Sequence, residues 1–146
     1  MIPLLIGQAP SGSSDSDEPL SGRSGRRLAE LCDLEFDAYL RLFERRNLLQ
    51  DLPGKAGKGD QSVTLREGRV LARACLGLCV GRRVVLLGFS TARMFDLVGP
   101  ALAFSPHWRG EFAFCPHPSG VNSWWNVAEN QARARRFWRK LARDAS

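Results

Sequence analysis

Apolar and polar positions along the chain fall into two kinds of stretch. Short unbroken apolar runs occupy residues 2–6, 84–87 and 112–115, the first ended by Gly7 and the second by Gly88. Runs of this length, bounded by turn residues, fit strands of a parallel sheet buried on both faces. The longer stretches between them carry one apolar face each. Residues 22–32 set Leu28, Ala29, Leu31 and Cys32 against Arg23, Arg26, Arg27 and Glu30, and residues 36–43 place Phe36, Leu40 and Phe43 at i, i+4 and i+7. A long helix is expected over 62–79, with Val63, Val70, Leu71, Ala74 and Leu78 among its spaced positions and Gly81 as its stop. A short helix follows at 90–95, residues 99–109 form a proline-containing loop, and a terminal helix runs from 125 or 126 to 145 with Ala134, Phe137, Trp138 and Leu141 as its buried stripe. Strands alternating with helices imply an α/β fold around a mostly parallel sheet, with right-handed crossovers.

Length and charge narrow the picture. The 146 residues suit one domain, taken as 1–146, and 44% hydrophobic content suffices for a core. A formal charge of +6 favours an anionic partner, nucleic acid first, although an arginine-rich balance can also reflect genome composition. The run at 2–6 is too short for a signal-peptide core and no stretch is long enough to span a bilayer, so no membrane partner and a cytoplasmic, monomeric protein are expected. Cys32, Cys75, Cys79 and Cys115 lack the paired spacing of a zinc ribbon or disulfide scaffold and fit reduced core thiols. Cys75 and Cys79 would share a helix face, a two-thiolate corner that still lacks two ligands; no metal is expected.

The candidate chemistry centres on residues 114–122, where an apolar run meets a rigid polar loop. Pro116 and Pro118 fix their own φ and bias their predecessors toward extended backbone, so His117 is held in place. A lone histidine in a turn is more often a structural hydrogen-bonder than a catalyst. Gly7, Gln8, Ala9, Pro10 and Ser11 follow the first strand, at the edge where open α/β sheets place ligands, without the spacing of a dinucleotide fingerprint. Residues 13–18 form an acidic loop or a lid. The loop at 50–59, with Pro53, Lys55 and Lys58, fails the Walker A pattern but has phosphate-binding composition. Ser119 and His117 do not form a nucleophile–base pair, because residues two apart around a proline point apart and no nucleophile elbow is present.

Several separated segments, in order, resemble the motifs of the uracil-DNA glycosylase superfamily, most of all its bacterial and archaeal iron–sulfur branch. Leu5-Ile6-Gly7-Gln8-Ala9-Pro10 resembles a strand followed by G-E-A-P-G, and Pro19-Leu20-Ser21-Gly22-Arg23-Ser24-Gly25 resembles P-F-V-G-R-A-G. Asn47-Leu48-Leu49 with Pro53-Gly54 resembles T-N-V-V-K-x-x-P-P-G, residues 84–88 resemble the strand I-V-x-L-G, and Pro116-His117-Pro118-Ser119 matches the H-P-S loop. The resemblance implies a three-layer α/β/α sandwich with a central, mainly parallel four-stranded sheet. It also implies DNA as partner and excision of a flipped uracil or related deaminated base by hydrolysis of its N-glycosidic bond. In that scheme His117 donates to a base carbonyl as negative charge develops, Asn47 reads the base edge through its amide, and Gln8 stands at the water-orienting motif. Gly7, Ala9, Pro10, Ser11, Leu20, Pro118, Ser119, Gly120, Val121 and Asn122 would contact base or backbone, with Val121 or Trp124 as a wedge. Lys55, Lys58, Arg23 and the terminal-helix arginines would meet phosphates.

The chain departs from the pattern at defined points. Gln8 replaces the branch's acid, Ala9 stands where other branches carry Asp or Asn, and Leu20 replaces a stacking Phe. No cysteine precedes Gly7, so no iron–sulfur cluster and no other cofactor is expected. The alternative is a member of the same superfamily that binds nucleic acid or a nucleotide without excising a base.

Overall fold

A computed structural model describes residues 1–8, 18–49, 64–119 and 123–146. Five strands form one sheet in the order β2-β1-β3-β5-β4: β1 (Leu4–Gly7), β2 (Glu44–Asn47), β3 (Arg83–Leu87), β4 (Ser105–His107) and β5 (Gly110–Cys115). The first three and β5 run parallel, and β4 pairs antiparallel with β5 at one edge. The helices are α1 (Arg23–Cys32), α2 (Phe36–Leu42), α3 (Leu65–Cys79), α4 (Phe89–Met94) and α5 (Ala128–Ala145), with a single 3₁₀ turn at Ser123–Asn126 before α5.

Alternation along the strands sorts the core into two clusters. Leu5, Val85, Leu87 and Cys115 pack with Leu28, Tyr39, Phe43, Trp138 and Leu141 from α1, α2 and α5 and the residue after α2. Leu4, Ile6, Val84, Leu86, Phe112 and Phe114 pack with Ala72, Cys79, Ala92 and Met94 from α3 and α4. Both faces of the sheet are therefore covered, which is why its strands are unbroken apolar runs.

The expected four-stranded sheet is corrected to five. Residues 99–109 are not all loop, because Ser105–His107 forms β4 and the chain reverses through Trp108 and Arg109, both at positive φ (48° and 70°). A two-residue reversal of this kind ordinarily carries Asn or Gly, and without them it leaves little trace in the sequence. Pro106 faces Glu111 on β5 and is exposed.

The face expected for α3 is also corrected. Val70 is 64% exposed and Leu78 37%, while Gly68, Ala72 and Cys79 are buried. Gly68 explains the rotation: a β-carbon there would stand 2.5 Å from Met94 Cγ, so α3 approaches α4 through its glycine. The Thr64 hydroxyl accepts from Glu67 N–H at 3.2 Å and caps the helix start, and Gly81 (φ +72°) follows its end. In α2 the fully buried residue is Tyr39, one position from the expected Leu40, which is only partly covered.

The four cysteines are free thiols, three of them buried. Desolvation pushes Cys32 and Cys115 up to about 12 and Cys79 to about 11, so they are neutral packing groups. No helix is long and apolar enough to cross a membrane among the described residues.

Trp138 has no exposed surface and its ring meets Phe43 edge-on at 6.2 Å and Phe137 at 5.6 Å. Trp138→Ala is expected to cost about 3–5 kcal/mol, measured as a shift in the urea midpoint.

Candidate functional site

The carboxyl ends of the parallel strands line up along one edge. Gly7 pairs with Asn47, and Leu87 pairs with Cys115. Continuing the β1–β3 register from Ile6 and Leu86 sets Gly7 beside Leu87. The chain leaves β1 toward β2 on one side and leaves β3 toward β5 on the other, so the crevice where the connections part lies between β1 and β3. Backbone bonds extend this edge past the strands: Leu48 N–H donates to Gly7 O at 3.0 Å, Leu49 N–H to Gln8 O at 2.9 Å, and Gly88 N–H to Cys115 O at 2.8 Å.

One wall is built from Gly7, Leu20 and Asn47. A β-carbon on Gly7 would lie 2.7 Å from Asn47 Oδ1 and 3.3 Å from Leu20 Cδ2, so both side chains lean over the glycine. Asn47 is only 8% exposed, and its Oδ1 is buried without a hydrogen-bond partner among the described residues. An amide oxygen left unmet in a buried position costs roughly 1–3 kcal/mol, a cost that a donor arriving with a ligand would offset.

Leu20 holds a left-handed backbone (φ 54°), which is uncommon outside glycine and asparagine. Its carbonyl accepts from Tyr39 Oη–H at 3.1 Å and presses on Gly25, where a β-carbon would stand 1.9 Å from that oxygen. Arg45 secures the preceding turn, donating through Nε to Pro19 O at 3.1 Å and through Nη1 to Leu40 O at 2.7 Å and Phe43 O at 2.9 Å. These contacts hold a strained residue against the edge, a pattern concentrated at functional sites.

The other wall is the loop after β5. His117 lies against Gly88, whose φ of +97° only glycine adopts easily and where a β-carbon would be 3.6 Å from His117 Cβ. Ser119 N–H donates to His117 Nδ1 at 3.1 Å. A ring nitrogen that accepts must carry its lone pair, so neutral His117 has its proton on Nε2, and Nε2 has no partner among the described residues. Burial holds the His117 pKa below the ordinary value of 6.5, keeping the ring neutral at pH 7. From behind, Trp125 Nε1–H donates to His117 O at 2.8 Å and Arg27 Nη1 to Pro118 O at 3.4 Å, and the Arg27 guanidinium lies 4.5 Å from the Trp125 ring centroid.

Of the expected site residues, Leu20 and Asn47 both crowd the space over Gly7, and His117, Pro118 and Ser119 form the facing loop. The strand of Asn47, β2, and the strand leading into the His117 loop, β5, stand three strand spacings apart, about 14 Å at strand level. Gln8 is half-buried beside Gly7. Ala9, Pro10, Ser11, Lys55, Lys58, Gly120, Val121 and Asn122 lie outside the described residues, as does most of the acidic loop at 13–18. Trp124, named as a wedge, is half-buried and packs edge-on against Trp125 at 4.8 Å. Sequence reasoning gave no site role to the supporting residues Arg27, Tyr39, Arg45, Gly88 and Trp125. Only Gly88 had a signal, as the glycine closing an apolar run. Among the described residues no three His, Cys, Asp or Glu come together as a metal site. A cavity of about 720 Å³ lies at the opposite end of the sheet, bordered by Pro3, Arg82 and Arg109, and holds none of the expected groups.

The unfolded chain protonates histidine at the ordinary value, whereas folded His117 resists until a lower pH. The unfolded state therefore binds more protons below about 6.5, and stability present above that value is lost as pH falls through it toward the folded pKa. Urea midpoints taken from neutral to mildly acidic pH should fall more steeply for the wild type than for His117→Gln, whose amide can still accept from Ser119 N–H; parallel curves would rule this out. No family model matches the sequence, and no curated protein is significantly similar to it.

Proposed function

We propose that the protein is a DNA base-excision glycosylase with the three-layer α/β/α architecture of the uracil-DNA glycosylase superfamily, acting on uracil or a related deaminated base. The observation that carries this reading is the buried Oδ1 of Asn47, on the same sheet edge as the Nε2–H of a neutral His117, both without a partner among the described residues. An amide accepts through Oδ1 and donates through Nδ2, which matches the N–H and carbonyl side by side on a uracil-type edge. The opposite carbonyl of the base would then take the Nε2–H of His117. Motif order in the sequence and the crevice between β1 and β3 support the same placement.

In this reading the flipped nucleotide enters between the two walls. The C1′–N bond breaks with its electron pair staying on the base, so charge grows on the carbonyl that His117 meets. A neutral donor fixed by Ser119 N–H stabilises that charge more in the transition state than in the bound substrate. Water then adds at C1′, and the proton it loses goes through solvent to the departed base anion, leaving a neutral base and an abasic sugar. Gln8 can orient that water through its amide but cannot accept the proton, so Gln8 is a positioning residue here. Leu20 supplies apolar contact in place of an aromatic platform, with weaker base stacking.

A second reading, binding of nucleic acid or a nucleotide without excision, is favoured by one observation: position 8, next to Gly7, carries an amide and not an acid. The two readings separate by incubation with oligonucleotides containing uracil, hypoxanthine or xanthine, single- and double-stranded, followed by alkaline cleavage at abasic sites. Excision by the wild type is expected, with His117→Ala lowering single-turnover rate about 10²–10³-fold at nearly unchanged DNA affinity and Asn47→Ala impairing both. No product from any substrate, together with weakened binding by His117→Ala, would establish the loop as a recognition clamp.

A further inference from the structure

A second concave surface adjoins the His117 loop. Between α1 and α5 lies a cavity of about 570 Å³ lined by Arg23, Arg26, Arg27 and Arg135, with Glu30 its one acid and Trp125 in its wall. Arg23, Arg26 and Arg27 recur at helical spacing on one side of α1, with about 6 Å of rise between the first and last. Among the described residues none of the four arginines forms a salt bridge with a carboxylate, whereas Arg45, Arg69, Arg82 and Arg83 all do. Two of the guanidiniums are held as planes: Arg26 stands 4.4 Å from the Phe36 ring centroid and Arg27 4.5 Å from that of Trp125. Stacking of this kind orients the N–H fork without neutralising it.

The groove and the candidate site share parts. Arg27 and Trp125 line the groove, and the same two side chains hold the carbonyls of Pro118 and His117. A chain of anions seated along α1 thus arrives at the back of the loop that presents His117.

We propose that this groove is the track for the phosphodiester backbone of a single DNA strand leading to the His117 loop, a proposal that rests on the excision reading for its choice of strand. The lining cations are all arginine, whose fork matches phosphate oxygens in pairs, and their mutual repulsion is relieved when phosphates lie between them. Acidic protein segments would satisfy the charge but not the regular spacing of anions along a continuous strand.

The test uses undamaged, fluorescein-labelled oligothymidylate and anisotropy over a salt series, so that binding is read apart from excision. Arg27 is left in place because it supports the loop. The triple variant Arg23→Gln, Arg26→Gln, Arg135→Gln should bind at least roughly tenfold more weakly at low salt, with the log–log salt slope shallower by about 2. A matching variant of exposed arginines elsewhere, Arg73→Gln, Arg93→Gln, Arg109→Gln, removes the same charge and should bind close to wild type. Replacing the groove arginines by lysine should keep the salt slope, and circular dichroism checks that each variant is folded. Equal losses in the groove and control variants, unchanged affinity of the groove variant, no binding by the wild type, or competition by polyglutamate as effective as by oligothymidylate would each overturn the proposal. If the groove dependence holds and no base is excised, the excision reading falls and the groove stands; if excision persists while the groove variant binds like wild type, the groove proposal falls alone.

Discussion

The contact between Gly25 and the Leu20 carbonyl sets the position of the Leu20 wall at the carboxyl edge. A side chain at residue 25 would displace the peptide that Tyr39 and Arg45 hold in place, and with it the Leu20 side chain that lies over Gly7 and beside Asn47. The site wall is thus a by-product of how closely α1 lets the incoming loop approach. Tyr39 completes the arrangement from α2: its ring fills the core, its hydroxyl reaches the loop, and burial raises its pKa so that it remains a donor. Packing of α1 on α2 and geometry at the sheet edge are one structural event.

Arginine divides between two kinds of work. Arg45 and Arg82 have only 12% and 8% of their side chains exposed, and both spend their donors largely on backbone carbonyls. Arg82 bonds Ile2 O and Leu78 O and pairs with Glu44 at 2.8 Å, and that hydrogen bond pulls the Glu44 carboxyl below its usual range. These two guanidiniums tie chain segments distant in sequence, and their positive charge is locally used. The arginines of α1 and α5 around Trp125 remain uncompensated by carboxylates among the described residues. Total charge counts both groups alike, which is why a formal value of +6 is a poor guide to where an anion would bind.

Much of the fold was legible because a parallel sheet buried on both faces leaves unbroken apolar runs, as at 84–87 and 112–115, and because the amphipathic stripes of α1 and α5 are regular. β2 was not legible: Glu44-Arg45-Arg46-Asn47 is polar throughout, and it is a strand because Leu4 to Gly7 offer it a paired edge. The stripe read for α3 failed where a glycine, invisible to a hydrophobic count, made the close contact with Met94. At the candidate site, the sequence singled out Gly7, Asn47 and His117 by their resemblance to family motifs. The residues that position them come from helices far along the chain, and nothing local in the sequence ties Trp125 to the His117 carbonyl or Tyr39 to that of Leu20.

The two ends of the sheet have a consequence for behaviour at high concentration. A free strand edge is a template for another chain, and flat apolar edges invite fibre growth. Here β4 is three residues long with an exposed Pro106 at its centre, which has no N–H to offer, and β2 at the far side carries three charged residues in four. Neither border presents a long run of donors and acceptors on an apolar strip. The apolar strands that make the core are enclosed between two borders that discourage further strand addition, so colloidal stability is written into the same sheet that frames the site.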